Sequence, residues 1–101
     1  MLGIKVTIVR YISDDPQPGI VECKLEDAHG RTWSFVEKTA IVSSEDLDAH
    51  TCYPQQGAIA VEEVNRKLDD AGRKVIRICT GVESVDGVTQ FDVLPESLVE
   101  L

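Results

Sequence analysis

Two segments of this chain nearly repeat one another. Lys24 to Arg31 reads KLEDAHGR, and Lys67 to Arg73 reads KLDDAGR. Each lies between runs rich in β-branched or aromatic residues. Glycine reaches positive φ without a Cβ clash, and aspartate bonds readily to nearby backbone, so both segments read as tips of β-hairpins. Asp86-Gly87, between Val82–Val85 and Val88–Leu94, is a third tip of the same kind.

The runs between the tips have the period of strands. Ile4, Val6 and Ile8 alternate with Lys5 and Thr7, and the stretch continues to Ile12. Tyr11 is expected on the face opposite Ile8. Ser13–Gly19, with two prolines and a glycine, is a loop. From Ile20 to Glu26, Val21, Cys23 and Leu25 point one way and Glu22, Lys24 and Glu26 the other. From Thr32 to Lys38, Trp33 and Phe35 share a face. Ile41 and Val42 extend a strand, and Ser43–His50 holds one helical turn begun by a serine. Arg73–Thr80 is a strand with Ile76 and Ile78 inward. Pro95 ends the last strand, leaving a short tail or helical turn.

Ala58 to Leu68 carries two patterns. Val61, Val64 and Leu68 have helical spacing, and Gly72 would serve as a C-cap. The strand reading puts Ile59 and Val61 on one face and Val64, Arg66 and Leu68 beyond a switch or bulge. The repeated tip decides for the strand, because the same tip follows a strand earlier in the chain.

At 101 residues this is one domain, 1–101, able to bury a single small core. Few helical candidates and three hairpin tips predict an all-β fold. The expected form is a small antiparallel β-barrel, SH3-like or OB-like, of about six strands, since closure removes sticky edges. The alternative is an α+β roll with one helix at 58–68.

The formal charge is −8. It disfavours nucleic acid, whose recognition rests on clustered Lys and Arg, and it favours a basic protein partner. No apolar run nears the ~20 residues of a membrane span, and the alternating N-terminus lacks a signal-peptide pattern. Cys23, Cys52 and Cys79 are odd in number and irregularly spaced, a poor disulfide framework. Together these predict a cytoplasmic protein.

Chemistry-bearing patterns are sparse. His50-x-Cys52 is the one close His/Cys pair, with Asp48 placed to orient the imidazole. It would serve a metal or a thiol nucleophile, yet it lacks the second ligand pair of a structural zinc site and any oxyanion-hole turn. The acidic clusters at 14–15, 45–48 and 69–70 lack the EF-hand pattern, and the single glycines form no phosphate-binding run. Trp33, Phe35 and Phe91 are expected in the core. Tyr11 and Tyr53 are the aromatics expected at the surface, beside His50 and Asp48, as an interaction surface.

VECKLEDAHGRTWSFVEK at 21–38, YPQQG at 53–57 and GVESVDGVTQFDV at 81–93 resemble a group of small bacterial proteins of unknown function. The resemblance implies a stand-alone cytosolic bacterial protein and brings no activity, ligand or catalytic residue.

The function expected is that of a small, non-enzymatic protein-interaction module without a cofactor. A basic protein is the expected partner, and an immunity-type inhibitor is one form of that reading. A second copy is a further candidate, through an uncovered strand edge or Leu94–Leu101. The alternative is a small metal- or thiol-dependent enzyme using the His50/Cys52 loop.

Overall fold

The computed structural model describes residues 1–101. It contains eight strands: β1 (Leu2–Ser13), β2 (Ile20–Glu26), β3 (Thr32–Lys38), β4 (Gln55–Ala60), β5 (Glu62–Leu68), β6 (Lys74–Cys79), β7 (Gln90–Val93) and β8 (Leu98–Glu100). One helical turn, α1 (Thr39–Val42), follows β3, and a 3-10 turn (Pro95–Ser97) precedes β8.

The strands form two antiparallel sheets rather than one closed barrel. The first has the order β3-β2-β1-β4, with β8 also paired to β1. The second has the order β5-β6-β7. Length explains the division. The twelve-residue β1 is long enough to pair with β8 through Leu2–Ile4 and with β2 from Thr7 onward, while β4 lines its other edge. Strands β4 and β5 are one extended run broken only at Val61. The N–H of Val61 donates to the Leu2 carbonyl at 2.9 Å, and beyond it the chain crosses into the second sheet. The 58–68 segment is therefore strand, and the helix alternative falls.

The inward residues follow the period-2 pattern. Ile4, Val6, Ile8, Val21, Cys23, Leu25 and Phe35 of the first sheet pack against Ile76, Ile78, Phe91 and Val93 of the second. Phe91 lies edge-on to Trp33, with centroids 5.2 Å apart, and tilted to Phe35 at 5.8 Å. Such aromatic pairs add to simple burial.

Two local expectations are corrected. Tyr11 does not lie opposite Ile8. Ile8 pairs with Cys23, Arg10 with Glu22 and Tyr11 with Val21, so Val9 is an extra residue in the ladder. A bulge of this kind reverses the side-chain sense, and it returns Tyr11 to the face of Val21, where the ring packs against the core. The helical turn falls at Thr39–Val42 rather than within Ser43–His50, and Ile41 and Val42 belong to it rather than to a strand. Val42 packs inward at the end of this turn, whereas 43–50 offers only Leu47 to the core.

The three tips share one construction. The backbone N–H of Asp27 donates to the Arg31 carbonyl across the first, and that of Asp69 to the Arg73 carbonyl across the second, each at 2.9 Å. In both, the aspartate's Oδ1 accepts the N–H groups two and four residues on, at 2.8–2.9 Å. Ser84 takes the aspartate's place in the third, its Oγ accepting the Val88 N–H at 3.1 Å. Gly30, Gly72 and Gly87 have φ of +78°, +79° and +79°, which a side chain would strain.

Two of these tips also cover sheet edges. The Ala28 N–H of the first donates to the Asp92 carbonyl of β7 at 2.7 Å, and the Val85 N–H of the third donates to the Ser34 carbonyl of β3 at 2.8 Å. These single contacts bridge the two sheets where a barrel would have a continuous ladder. Strand β5, which pairs with β6 alone, has no such cover.

Candidate functional site

The residues singled out from sequence gather at one end of the first sheet. Asp48 Oδ1 accepts the backbone N–H of His50 at 2.8 Å and the Thr51 hydroxyl at 3.2 Å. The Tyr53 hydroxyl donates to the Asp48 carbonyl at 2.9 Å, and the Gln55 amide donates to the Cys52 carbonyl at 2.6 Å. Asp48 thus ties the backbone of His50 and not its ring. That same backbone hydrogen bond is the main reason its carboxyl titrates below the ordinary aspartate range. Asp48, His50 and Cys52 are exposed.

Tyr11 and Tyr53 are half-buried and pack against the core instead of standing free. Burial raises both phenols above the ordinary tyrosine range; Tyr11 is pushed further by the charge of Asp14 and by Tyr53 and Asp48. The hydrogen bonds of the 48–55 loop are spent on closing the loop. No three of the chain's His, Cys, Asp and Glu side chains converge as a metal site would require.

Beside this loop, Gln17, Pro18, Thr39, Ala40 and residues 43–48 line a groove of about 510 Å³. Glu45, Asp46 and Asp48 border it, and none of them is in an ion pair.

The densest charged cluster lies at the other end of β2 and went unseen in the sequence. Asp92 of β7 is nearly buried, with its side chain 9% exposed. Arg77 of β6 grips it from Nε at 2.6 Å and Nη2 at 3.3 Å. His29 Nε2 stands 3.4 Å away and Lys67 Nζ 3.7 Å away. The Arg77 hydrogen bond is the main reason its carboxyl titrates low. Arg73 adds a hydrogen bond to the Ala28 carbonyl at 2.9 Å. The cluster joins the first hairpin tip to the second sheet, and every member has a partner, which suits a structural latch. A signal for it was present: an acid between Phe91 and Val93 must face away from the core, toward whatever charge its neighbour strand supplies.

Strand β5 is the third feature. All seven of its residues are exposed, including Val64 and Leu68 at 49% and 66%. Its outer edge has no pairing strand. Beside it, Arg66, Leu68, Lys74, Ile76 and Pro95 line a shallow groove of about 320 Å³ with an apolar floor and basic rim. A strand that buries nothing on either face gains little from the core, so packing does not explain its residues.

The chain matches no protein-family model, no curated protein and no solved structure.

Proposed function

We propose that this protein is a non-enzymatic interaction module that receives a partner's strand along the outer edge of β5. The observation that carries the reading is the exposure of every residue of β5 at an unpaired sheet edge. An open edge presents backbone N–H and C=O groups ready to pair, and an added strand completes them. The flanking groove supplies apolar contact through Leu68, Ile76 and Pro95. Hairpin tips already hydrogen-bond to the edge strands β3 and β7, whereas none reaches β5, and among the strands β5 alone is exposed at every residue.

Affinity capture from source cells tests this, with wild-type protein compared against Leu68→Asp. Leu68 is far enough exposed that the fold tolerates the change. The wild type is expected to retain a protein, a further copy of this chain included, that the variant loses. Retention of the same set by both forms sinks the reading.

A second reading concerns the opposite end of the molecule. The groove bordered by Glu45, Asp46 and Asp48 carries acids with no cation paired to them, on a chain of net charge −8. A basic protein is the complementary partner, as for an immunity-type inhibitor, and its association would slow with added salt. Measured association that is indifferent to salt would remove this alternative.

A further inference from the structure

We infer that the partner of β5 is β5 of a second copy, paired antiparallel about a two-fold axis at Asn65. The inference rests on the reading of β5 as a docking edge and names what docks there.

The pairing of β5 with β6 assigns each side chain to a face. Glu62, Asn65 and Lys67 stand opposite Cys79, Arg77 and Val75. Glu63, Arg66 and Leu68 stand opposite Ile78, Ile76 and Lys74. The register slips between Glu63 and Asn65, so Val64 is an extra, bulged residue. Its effect is to place Glu63 and Arg66 on one face, where they meet in an ion pair at 2.7 Å.

The strand is neutral on a chain of charge −8, because Glu62 and Glu63 balance Arg66 and Lys67. The charges are also ordered, acids first and bases after. A parallel copy would set like against like. An antiparallel copy sets acids against bases. With Asn65 facing Asn65 of the second copy, the bulge brings Glu62 opposite Lys67 on one face and Glu63 opposite Arg66 on the other. Directly opposed residues of an antiparallel pair share a face, so both matches are geometrically allowed. Without the bulge, Glu63 would face Lys67 and Glu62 would face Leu68, losing one of the two charge matches. The two-fold gives four intermolecular ion pairs, and the contact closes on itself without extending into a fibre.

The same features repel other strands. A bulge and long charged side chains at an edge disfavour generic pairing, and a strand of uniform charge or without an extra residue would leave some of these groups unmatched. One strand pair with its flanking side chains is a small interface, so the dimer is expected to be weak, with a dissociation constant on the order of micromolar.

Sedimentation equilibrium of the full chain tests this with two charge-reversal variants, Glu62→Lys/Glu63→Lys and Arg66→Glu/Lys67→Glu. All four residues are exposed, but Lys67 also lies 3.7 Å from Asp92 and Arg66 pairs with Glu63, so circular dichroism and urea unfolding check that each variant keeps its β-sheet signal and its stability. At about 100 μM the wild type is expected to be largely dimeric. Each variant alone is expected to dissociate at least ~10-fold more readily, since it sets like charges together. The two variants mixed in equal amounts are expected to form a heterodimer with affinity near that of the wild type. A wild type that is monomeric at that concentration overturns the inference, as does a mixture that stays monomeric or a pair of variants that dimerise like the wild type. If the wild type is monomeric while Leu68→Asp still loses a captured protein, only the identity of the docked strand is wrong. If capture is also unaffected, the docking edge itself falls.

Discussion

Arg77 and Asp92 face one another across β6 and β7, with Nε of the arginine 2.6 Å from the carboxylate. The pair holds the second sheet to the first hairpin tip, because the same residue's carbonyl accepts the Ala28 N–H. Replacing Asp92 with alanine removes a charge-assisted hydrogen bond and leaves Arg77 to water, since its side chain is 38% exposed. The expected loss is about 1.5–3 kcal/mol, read from urea unfolding. An unchanged midpoint would show that the cluster is decorative.

The carboxylates set how the fold responds to acid. Asp92 titrates low chiefly through Arg77, and Asp69 chiefly through the Arg73 backbone N–H. A carboxyl whose folded pKa is depressed contributes stability above its unfolded value of 3.8 and loses it as pH falls through the folded value. Stability should therefore hold from neutral pH to about 5 and fall below about 4. Glu37, raised by burial from 4.5, works the other way and favours the fold on the acid side. Thermal unfolding across pH 2 to 7, in about one-unit steps, measures the balance, and Asp92→Ala should fall less steeply. A parallel fall in both proteins would remove Asp92 from the account.

The hairpin tips rank by what the aspartate's second oxygen does. Asp27 Oδ2 accepts the Trp33 indole N–H at 2.9 Å, whereas Asp69 Oδ2 accepts Arg73 at 2.7 Å in an exposed setting. Asp27→Ala should cost about 1–3 kcal/mol, the half-buried indole being left unpaired, and more than Asp69→Ala. Equal costs from denaturant titration would contradict this.

Glycines 57 and 30 are needed for different reasons. A Cβ on Gly57 would lie 2.7 Å from the Val42 carbonyl oxygen and 2.8 Å from Ile8 Cδ1, so alanine there pushes α1 off β4. A Cβ on Gly30 would meet nothing, but its φ of +78° strains any side chain. Gly57→Ala is expected to cost about 1–3 kcal/mol and Gly30→Ala about 1 kcal/mol, by urea unfolding. A cheaper change at position 57 than at position 30 would refute the close approach of α1.

The thiols should react in an order. Cys52 is exposed, Cys79 half-buried, and Cys23 buried with its pKa pushed up to about 12. A thiol-specific reagent at neutral pH should label Cys52 first and Cys23 only on unfolding. Early labelling of Cys23 in the folded protein would mean that the core opens.

Much of the fold was legible because it is local. Alternation at Ile4, Val6 and Ile8, or at Val21, Cys23 and Leu25, states which side is dry without reference to any partner. The tips state themselves through an Asp or Ser and a glycine whose backbone bonds close within five residues. Tyr11 was misplaced because one extra residue at Val9 reverses the sense of Arg10 and Tyr11, and a bulge has no marker in composition. Tyr11, Tyr53, Asp48 and His50 were grouped by residue type alone, and the use of Asp48 and Tyr53 polar groups to close the 48–55 loop had no sign in the sequence.

What the residue order determined alone was the extended character of the chain and the places where it turns. Only the tertiary structure decided how the strands divide between two sheets, because that depends on the length of β1 and on where Val61 passes from one sheet to the other. It also decided that the edge of β5 stays open. Hydrogen bonds from distant hairpin tips reach β3 and β7 but not β5, and contacts between residues dozens of positions apart leave no local trace.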